Sequence, residues 1–145
     1  MKLTVSALAL SLGASGVLAS NFVASCKEST IKVSGRTLTA SCKNIFGNYN
    51  CSHLNLNTCL KNRYGSLQAD PDGTGPHLDQ CINCTNEEPD TGVIVDGGPS
   101  LLYCQCDPGT GAAQANWPTA IFDLNTIVDN QNGILHCYDV KGTVC

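Results

Sequence analysis

Apolar and polar residues alternate in two short stretches, Ile31-Lys32-Val33 and Thr37-Leu38-Thr39-Ala40-Ser41-Cys42. Period-two alternation sends successive side chains to opposite faces, so both read as half-buried β-strands. Ser34-Gly35-Arg36 between them supplies turn chemistry and predicts a hairpin. Further along, Leu54-Asn55-Leu56-Asn57-Thr58 predicts a single helical turn, with Asn55 accepting from its exposed N–H groups. Asn62-x-x-Gly65 closes that turn, Gly65 being free to take positive φ, and Leu67 opens another strand.

The same pattern then returns. Residues 54–67 align without gaps with residues 122–135, and six of those fourteen positions are identical. Leu38-Thr39-Ala40-Ser41-Cys42 matches Leu102-Tyr103-Cys104-Gln105-Cys106, and Ser25-Cys26 answers Gln80-Cys81. Three matches in one order indicate a duplication. The spacing changes between them, so the second copy carries insertions, chiefly within residues 85–98 and 109–118. The two copies span about residues 21–69 and 77–138, and the polar run Asp70-Pro71-Asp72-Gly73-Thr74-Gly75-Pro76 reads as a linker.

Residues 1–19 have a different character. Lys2 precedes an apolar run from Leu3 to Leu12, and Val17-Leu18-Ala19 offers small residues for cleavage. That is a secretory signal peptide, too short in its apolar part to span a bilayer, and it predicts an exported, extracellular chain of residues 20–145. No later stretch is apolar enough for a membrane span, so no membrane partner is expected. The formal net charge of −4 falls by one more unit when Lys2 leaves, and no Lys/Arg cluster tracks a phosphate backbone, which argues against nucleic acid.

All ten cysteines follow the signal peptide. An oxidising compartment favours disulfides over the competing four-thiolate zinc site that Cys81-x-x-Cys84 and Cys104-x-Cys106 could offer. The repeat pairs Cys26 with Cys42 and Cys81 with Cys106, because these pairs occupy equivalent places. Proximity along the chain pairs Cys51 with Cys59, Cys84 with Cys104 and Cys137 with Cys145. Cys81 and Cys84 face opposite ways on a regular strand, while Cys104 and Cys106 share a face. Bridging both pairs therefore requires a bulge.

These residues resemble a known family. Phe22-x-x-Ser25-Cys26, Leu38-Thr39-Ala40-Ser41-Cys42-Lys43, the Leu54-Asn55-Leu56-Asn57 segment with Asn62-x-x-Gly65-x-Leu67, and their second-copy partners look like the cyanovirin-N homology domain, in a fungal-type secreted member. The resemblance implies a mostly β, disulfide-rich single domain. In it two pseudo-symmetric antiparallel β modules exchange strands and carry short helical turns. It also implies a lectin for α1,2-linked mannose of high-mannose glycans, with no metal and no cofactor. Short polar side chains and amides suit a fan of sugar hydroxyls.

Family positions map onto two sites. The first comprises Asn21, Ala24, Ser25, Lys43, Asn44, Asn130, Gln131 and Asn132. Ala24 stands there where a polar side chain is usual, and Lys43 where an acid is. The second comprises Asn62, Arg63, Tyr64, Asp79, Gln80 and Asp107, with Tyr64 replacing an acid and Asp107-Pro108-Gly109 replacing a basic, polar stretch. The Asn130-Gln131-Asn132 loop lies closer to the family pattern, so the first site is the favoured one. The bland roles are a tight turn for Asn62 and Asn130, and strand surface for Ser25 and Gln80. Trp117 beside Pro118 is expected to anchor the inserted loop.

Two other classes compete. An enzyme would need paired carboxylates in contrasting environments, but Glu87-Glu88 lies in a polar run and no nucleophile or metal-protease motif occurs. An effector-like protein-binding module on the same scaffold, with lost or altered sugar binding, fits the altered sites and the acidic segment 86–96. The sequons Asn50-Cys51-Ser52 and Asn83-Cys84-Thr85 are candidate glycosylation positions. The Gly-containing linker favours a monomer over a domain-swapped dimer.

Overall fold

The computed structural model describes residues 21–75, 77–89 and 98–145. The signal peptide and most of the acidic segment 86–96 lie outside the described residues. In the first copy, β1 (Lys32–Ser34), β2 (Thr37–Lys43) and β3 (Tyr49–Asn55) form an antiparallel meander. Ser34 pairs with Thr37 across the predicted turn, where Gly35 sits at φ 60°. A 3-10 turn at Leu56–Thr58 follows, capped as expected by Asn55, whose Oδ1 accepts from the Asn57 N–H at 3.0 Å.

β4 (Leu60–Arg63) and β5 (Ser66–Ala69) then form a hairpin. The sequence expectation has Asn62-x-x-Gly65 close the helical turn directly. Instead a strand intervenes, and the motif makes the two-residue hairpin turn at Tyr64-Gly65. The second copy repeats this order with β6 (Cys81–Thr85), β7 (Leu101–Cys106), β8 (Thr119–Asp123), a 3-10 turn at Leu124–Thr126 capped by Asp123, β9 (Val128–Gln131) and β10 (Ile134–Cys137). Two short strands end the chain, β11 (Val140–Lys141) on β10 and β12 (Thr143–Val144) on β3.

The hairpins are exchanged between copies. β10 packs on β2 and β3 of the first copy, where the Leu135 N–H donates to the buried Ser52 Oγ at 3.0 Å. β5 packs in turn on β8 of the second copy. Each three-stranded sheet thus completes its core with the other copy's hairpin, so neither copy buries its apolar face alone. Equivalent positions supply that core. Leu38 and Leu102, Leu56 and Leu124, and Leu60 and Val128 are all fully buried. Each such leucine contributes about 1.5–3 kcal/mol by leaving water.

The structure joins Cys26 to Cys42, Cys81 to Cys106 and Cys84 to Cys104. Cys81 stands opposite Cys106 in the β6–β7 register, and the register shifts between Ile82 and Thr85. Asn83 takes φ 52° in that shift, which is the bulge that lets Cys84 reach Cys104. The other two bridges correct the proximity rule. Cys51 pairs with Cys145 rather than Cys59, and Cys59 pairs with Cys137 rather than Cys145. Strand exchange is the cause. It lays β10 and β12 against the first copy, so the cysteines near Cys137 and Cys145 in space are those of the first copy. With every cysteine bridged, no thiolate remains for the zinc alternative.

Candidate functional site

The pseudo-symmetry produces two equivalent places where a hairpin turn of one copy meets the strands of the other. At the first, Asn130 Nδ2 donates to Ser25 Oγ at 3.0 Å and to the Lys43 carbonyl at 2.8 Å, while its Oδ1 accepts from the Gly133 N–H at 2.8 Å. At the second, Asn62 Nδ2 donates to Gln80 Oε1 at 3.2 Å and to the Asp107 carbonyl at 2.9 Å. Its Oδ1 accepts from the Gly65 N–H at 2.9 Å. The partners occupy equivalent repeat positions. Each asparagine thereby uses both amide hydrogens and one lone pair of its oxygen.

Glycine is required in both turns. A Cβ on Gly65, at φ 84°, would stand 2.9 Å from Pro118 Cγ. One on Gly133, at φ 87°, would stand 2.7 Å from Asn50 Nδ2. The preceding residue also has positive φ in each turn, 52° at Tyr64 and 53° at Asn132. Asparagine tolerates that region; a bulky tyrosine does so at a cost of about 1 kcal/mol or more.

The two places differ in shape. At the second, the turn, Gln80 and the segment after β7 enclose an open cleft of about 440 Å³. Lys61, Asn62, Arg63, Tyr64, Gln80 and Asp107 line it, with Gly75 and Gly109 at its edges. Tyr64 is 79% exposed, and its ring lies against Gly109, where a Cβ would come within 3.3 Å. Asp107 Oδ1 accepts from the Gly109 N–H at 2.8 Å and so fixes the cleft's wall. Asp79 is not part of the lining. Its carboxylate pairs with Arg36 at 2.9 Å on the outside of the fold.

Sequence reasoning reaches Gly109, within the Asp107-Pro108-Gly109 stretch, but not Lys61 or Gly75. One signal exists: the repeat sets Lys61 against Asp129, a charge reversal at equivalent positions. Lys61 Nζ lies 3.4 Å from Asp70 Oδ1, whose side chain is almost wholly buried. Burial alone would raise the Asp70 carboxyl, but the Gly75 N–H, Lys61 and the Thr74 N–H outweigh it and hold the carboxyl below its ordinary value. Residues 70–75 are therefore tied to the cleft wall at Lys61 rather than forming a loose tether. A Cβ at Gly75 would collide with the Lys61 side chain.

At the first place the polar side chains are turned on one another. Asn44 Oδ1 accepts from the Phe46 and Asn48 N–H groups, and Asn132 Oδ1 accepts from the Ile45 N–H at 2.8 Å. Gln131 bonds Asp129, and Asn21 Oδ1 accepts from the N–H of Ala24. Lys43 lies over the Tyr49 ring, with Lys27 nearer at 4.4 Å from the centroid. Thus Asn21, Ser25, Lys43, Asn44, Asn130, Gln131 and Asn132 are mostly engaged with one another or their neighbours. Trp117 donates from Nε1 to the Ala112 carbonyl at 3.1 Å, within the inserted loop.

Comparison with known proteins agrees with this architecture. The CVNH domain model matches residues 22–136, and the chain belongs to the CVNH, or cyanovirin-N homology, family. The structure of the Gibberella zeae CVNH protein superposes with a TM-score of 0.61 at 24% identity, covering 82% of this chain and 98% of that one. A MoCVNH3 variant in complex with (N-GlcNAc)4 gives 0.60 at 19% identity, covering 82% and 97%. A microvirin:mannobiose complex gives 0.52 at 23% identity, covering 81% and 97%. A comparison with curated protein sequences finds no match.

Proposed function

We propose that this chain is a carbohydrate-binding lectin, not an enzyme, and that its working site is the cleft around Asn62, Tyr64, Gln80 and Asp107. The observation that carries the reading is the cleft itself, built on the hydrogen-bonded Asn62 and walled by a tyrosine ring and polar groups. An exposed ring offers a face to the C–H side of a pyranose, and Lys61, Arg63 and Asp107 offer partners for its hydroxyls. Family relatives are solved with mannobiose and with (N-GlcNAc)4, which supports a saccharide ligand. We take α1,2-linked mannose of high-mannose glycans as the preferred ligand. We further propose that the chain works as a secreted monomer after loss of residues 1–19.

Titration of the mature chain with α1,2-mannobiose, read by ¹⁵N NMR, tests this. Shifts at Tyr64, Gln80 and Asp107 are expected at millimolar sugar. No shift there with mannobiose or the GlcNAc tetramer would overturn the lectin reading.

One observation favours the protein-binding alternative at the other end. Ile45 and Phe46 are 76% and 80% exposed on a loop pinned by Asn44 and Asn132. Rigidly presented apolar side chains suit a partner surface.

A further inference from the structure

A second polar groove, of about 470 Å³, lies away from the cleft described above. Its walls come from the β1–β2 turn, β3, the 3-10 turn after β3, and the segment between β11 and β12. Residues 140–143 lie beyond residues 22–136 that match the family. This segment is firmly built. The Gly142 N–H donates to the Leu135 carbonyl at 2.8 Å, β12 pairs with β3, and Cys145 is bridged to Cys51. Gly142 sits so close that a Cβ would stand 2.6 Å from the His53 carbonyl oxygen.

The lining chemistry is one-sided. Arg36, His53 and Lys141 contribute nitrogens, Thr37, Thr58 and Thr143 contribute hydroxyls, and no carboxylate is among the lining residues, although Arg36 shares its charge with Asp79 and His53 Nδ1 is paired with Thr39 Oγ1 at 2.8 Å. Arg36 is held in place by Asp79 at 2.9 Å and by donating from Nε to the Leu78 carbonyl at 3.1 Å. A guanidinium fixed in this way loses little freedom on meeting an anion.

Asn57, beside the groove, departs from its repeat equivalent. Its repeat partner Asn125 accepts from the Val23 N–H of the other copy, but Asn57 Oδ1 is buried with no hydrogen-bond partner. Anion donors beside hydroxyl partners describe a charged sugar better than a bare ion or a neutral glycan.

We propose that this groove binds an acidic saccharide, a sugar ring carrying a carboxylate or a phosphate ester, through Arg36, His53 and Lys141 with the threonine hydroxyls beside them. The groove shares no lining residue with the cleft at Asn62, and the proposal does not depend on the reading given for that cleft.

The mature chain is titrated with glucuronate, glucose 6-phosphate, glucose and inorganic phosphate, each followed by ¹⁵N NMR. Shifts at His53, Lys141 and Gly142 are expected with one or both acidic sugars and not with glucose. The arm that binds identifies the anionic group. Lys141→Glu, at an exposed position, should weaken that binding about tenfold or more while leaving the spectrum dispersed. Equal shifts with glucose would overturn the charge requirement. Equal affinity for inorganic phosphate would overturn the saccharide assignment. Silence with both acidic sugars at millimolar concentration would overturn the site.

Discussion

Asn62 and Asn130 occupy equivalent turns of the two copies, and each makes three matched hydrogen bonds, one closing its own hairpin turn and two tying that hairpin to the other copy. Asn62 is 1% exposed, whereas Asn130 retains some solvent contact. Truncating Asn62 therefore strands buried groups of Gly65 and Asp107 that water cannot easily reach. Asn62→Ala should cost about 2–4 kcal/mol and Asn130→Ala about 1–2 kcal/mol. Denaturant unfolding of the two variants measures the difference, and equal costs would contradict the burial argument.

Tyr64 couples strain to exposure. Its φ of 52° disfavours a bulky side chain, and with 79% of it exposed little packing compensates. Tyr64→Asn places the residue of the equivalent turn at that position. It should raise stability by up to about 1 kcal/mol and weaken binding of α1,2-mannobiose by about tenfold, an aromatic contact being worth about 0.5–1.5 kcal/mol. Thermal unfolding and calorimetric titration of the same variant separate the effects. A variant that gains stability without losing affinity would show that the ring does not meet the sugar.

Asp70 sets the acid limit. Its folded carboxyl is held below the ordinary value of 3.8, so the ionised form is favoured by folding. Its contribution is fully present above that ordinary value and is lost as pH falls through the lower folded one. The melting temperature should therefore drop as solutions are acidified below about pH 4. Asp70→Ala should remove that component and cost about 3 kcal/mol at neutral pH, because Lys61 and the Gly75 N–H lose their buried partner. Melting curves of the two proteins from pH 2 to 7 test the expected crossover of slopes.

The sequence made some of this fold readable and hid the rest for one reason. Local patterns describe local events, so the β1–β2 hairpin, the Asn55 and Asp123 caps and the bulge at Asn83 follow from residue chemistry. The duplication extends that reach, since Cys26 and Cys81 declare each other's role. Exchange of hairpins breaks the link between nearness in sequence and in space. Cys51 and Cys59 are eight positions apart, yet their partners come from the last nine residues. The cleft was half readable. Asn62, Arg63, Tyr64, Gln80 and Asp107 came from the family resemblance, but Lys61 and Gly75 join it only because Asp70 holds both.

The crossed bridges should govern how the protein comes apart. Cys59–Cys137 and Cys51–Cys145 close segments with sequence separations of 78 and 94, each restricting the unfolded chain by about 4–5 kcal/mol in the loop-entropy account. Both fasten the exchanged second-copy hairpin and the strands after it to the first copy. Cys59 and Cys137 are fully buried, while Cys145 is exposed. Mild reductant should therefore open Cys51–Cys145 first and release β12 without unfolding the core. Cys59–Cys137 should open only with global unfolding. Alkylation after timed reduction, followed by peptide mapping, checks the order. Recovery of a Cys51–Cys59 peptide from the unreduced protein would instead restore the pairing by proximity. Double replacement Cys51→Ser with Cys145→Ser should leave a folded chain, whereas Cys59→Ala with Cys137→Ala should lower stability by about 4 kcal/mol or more.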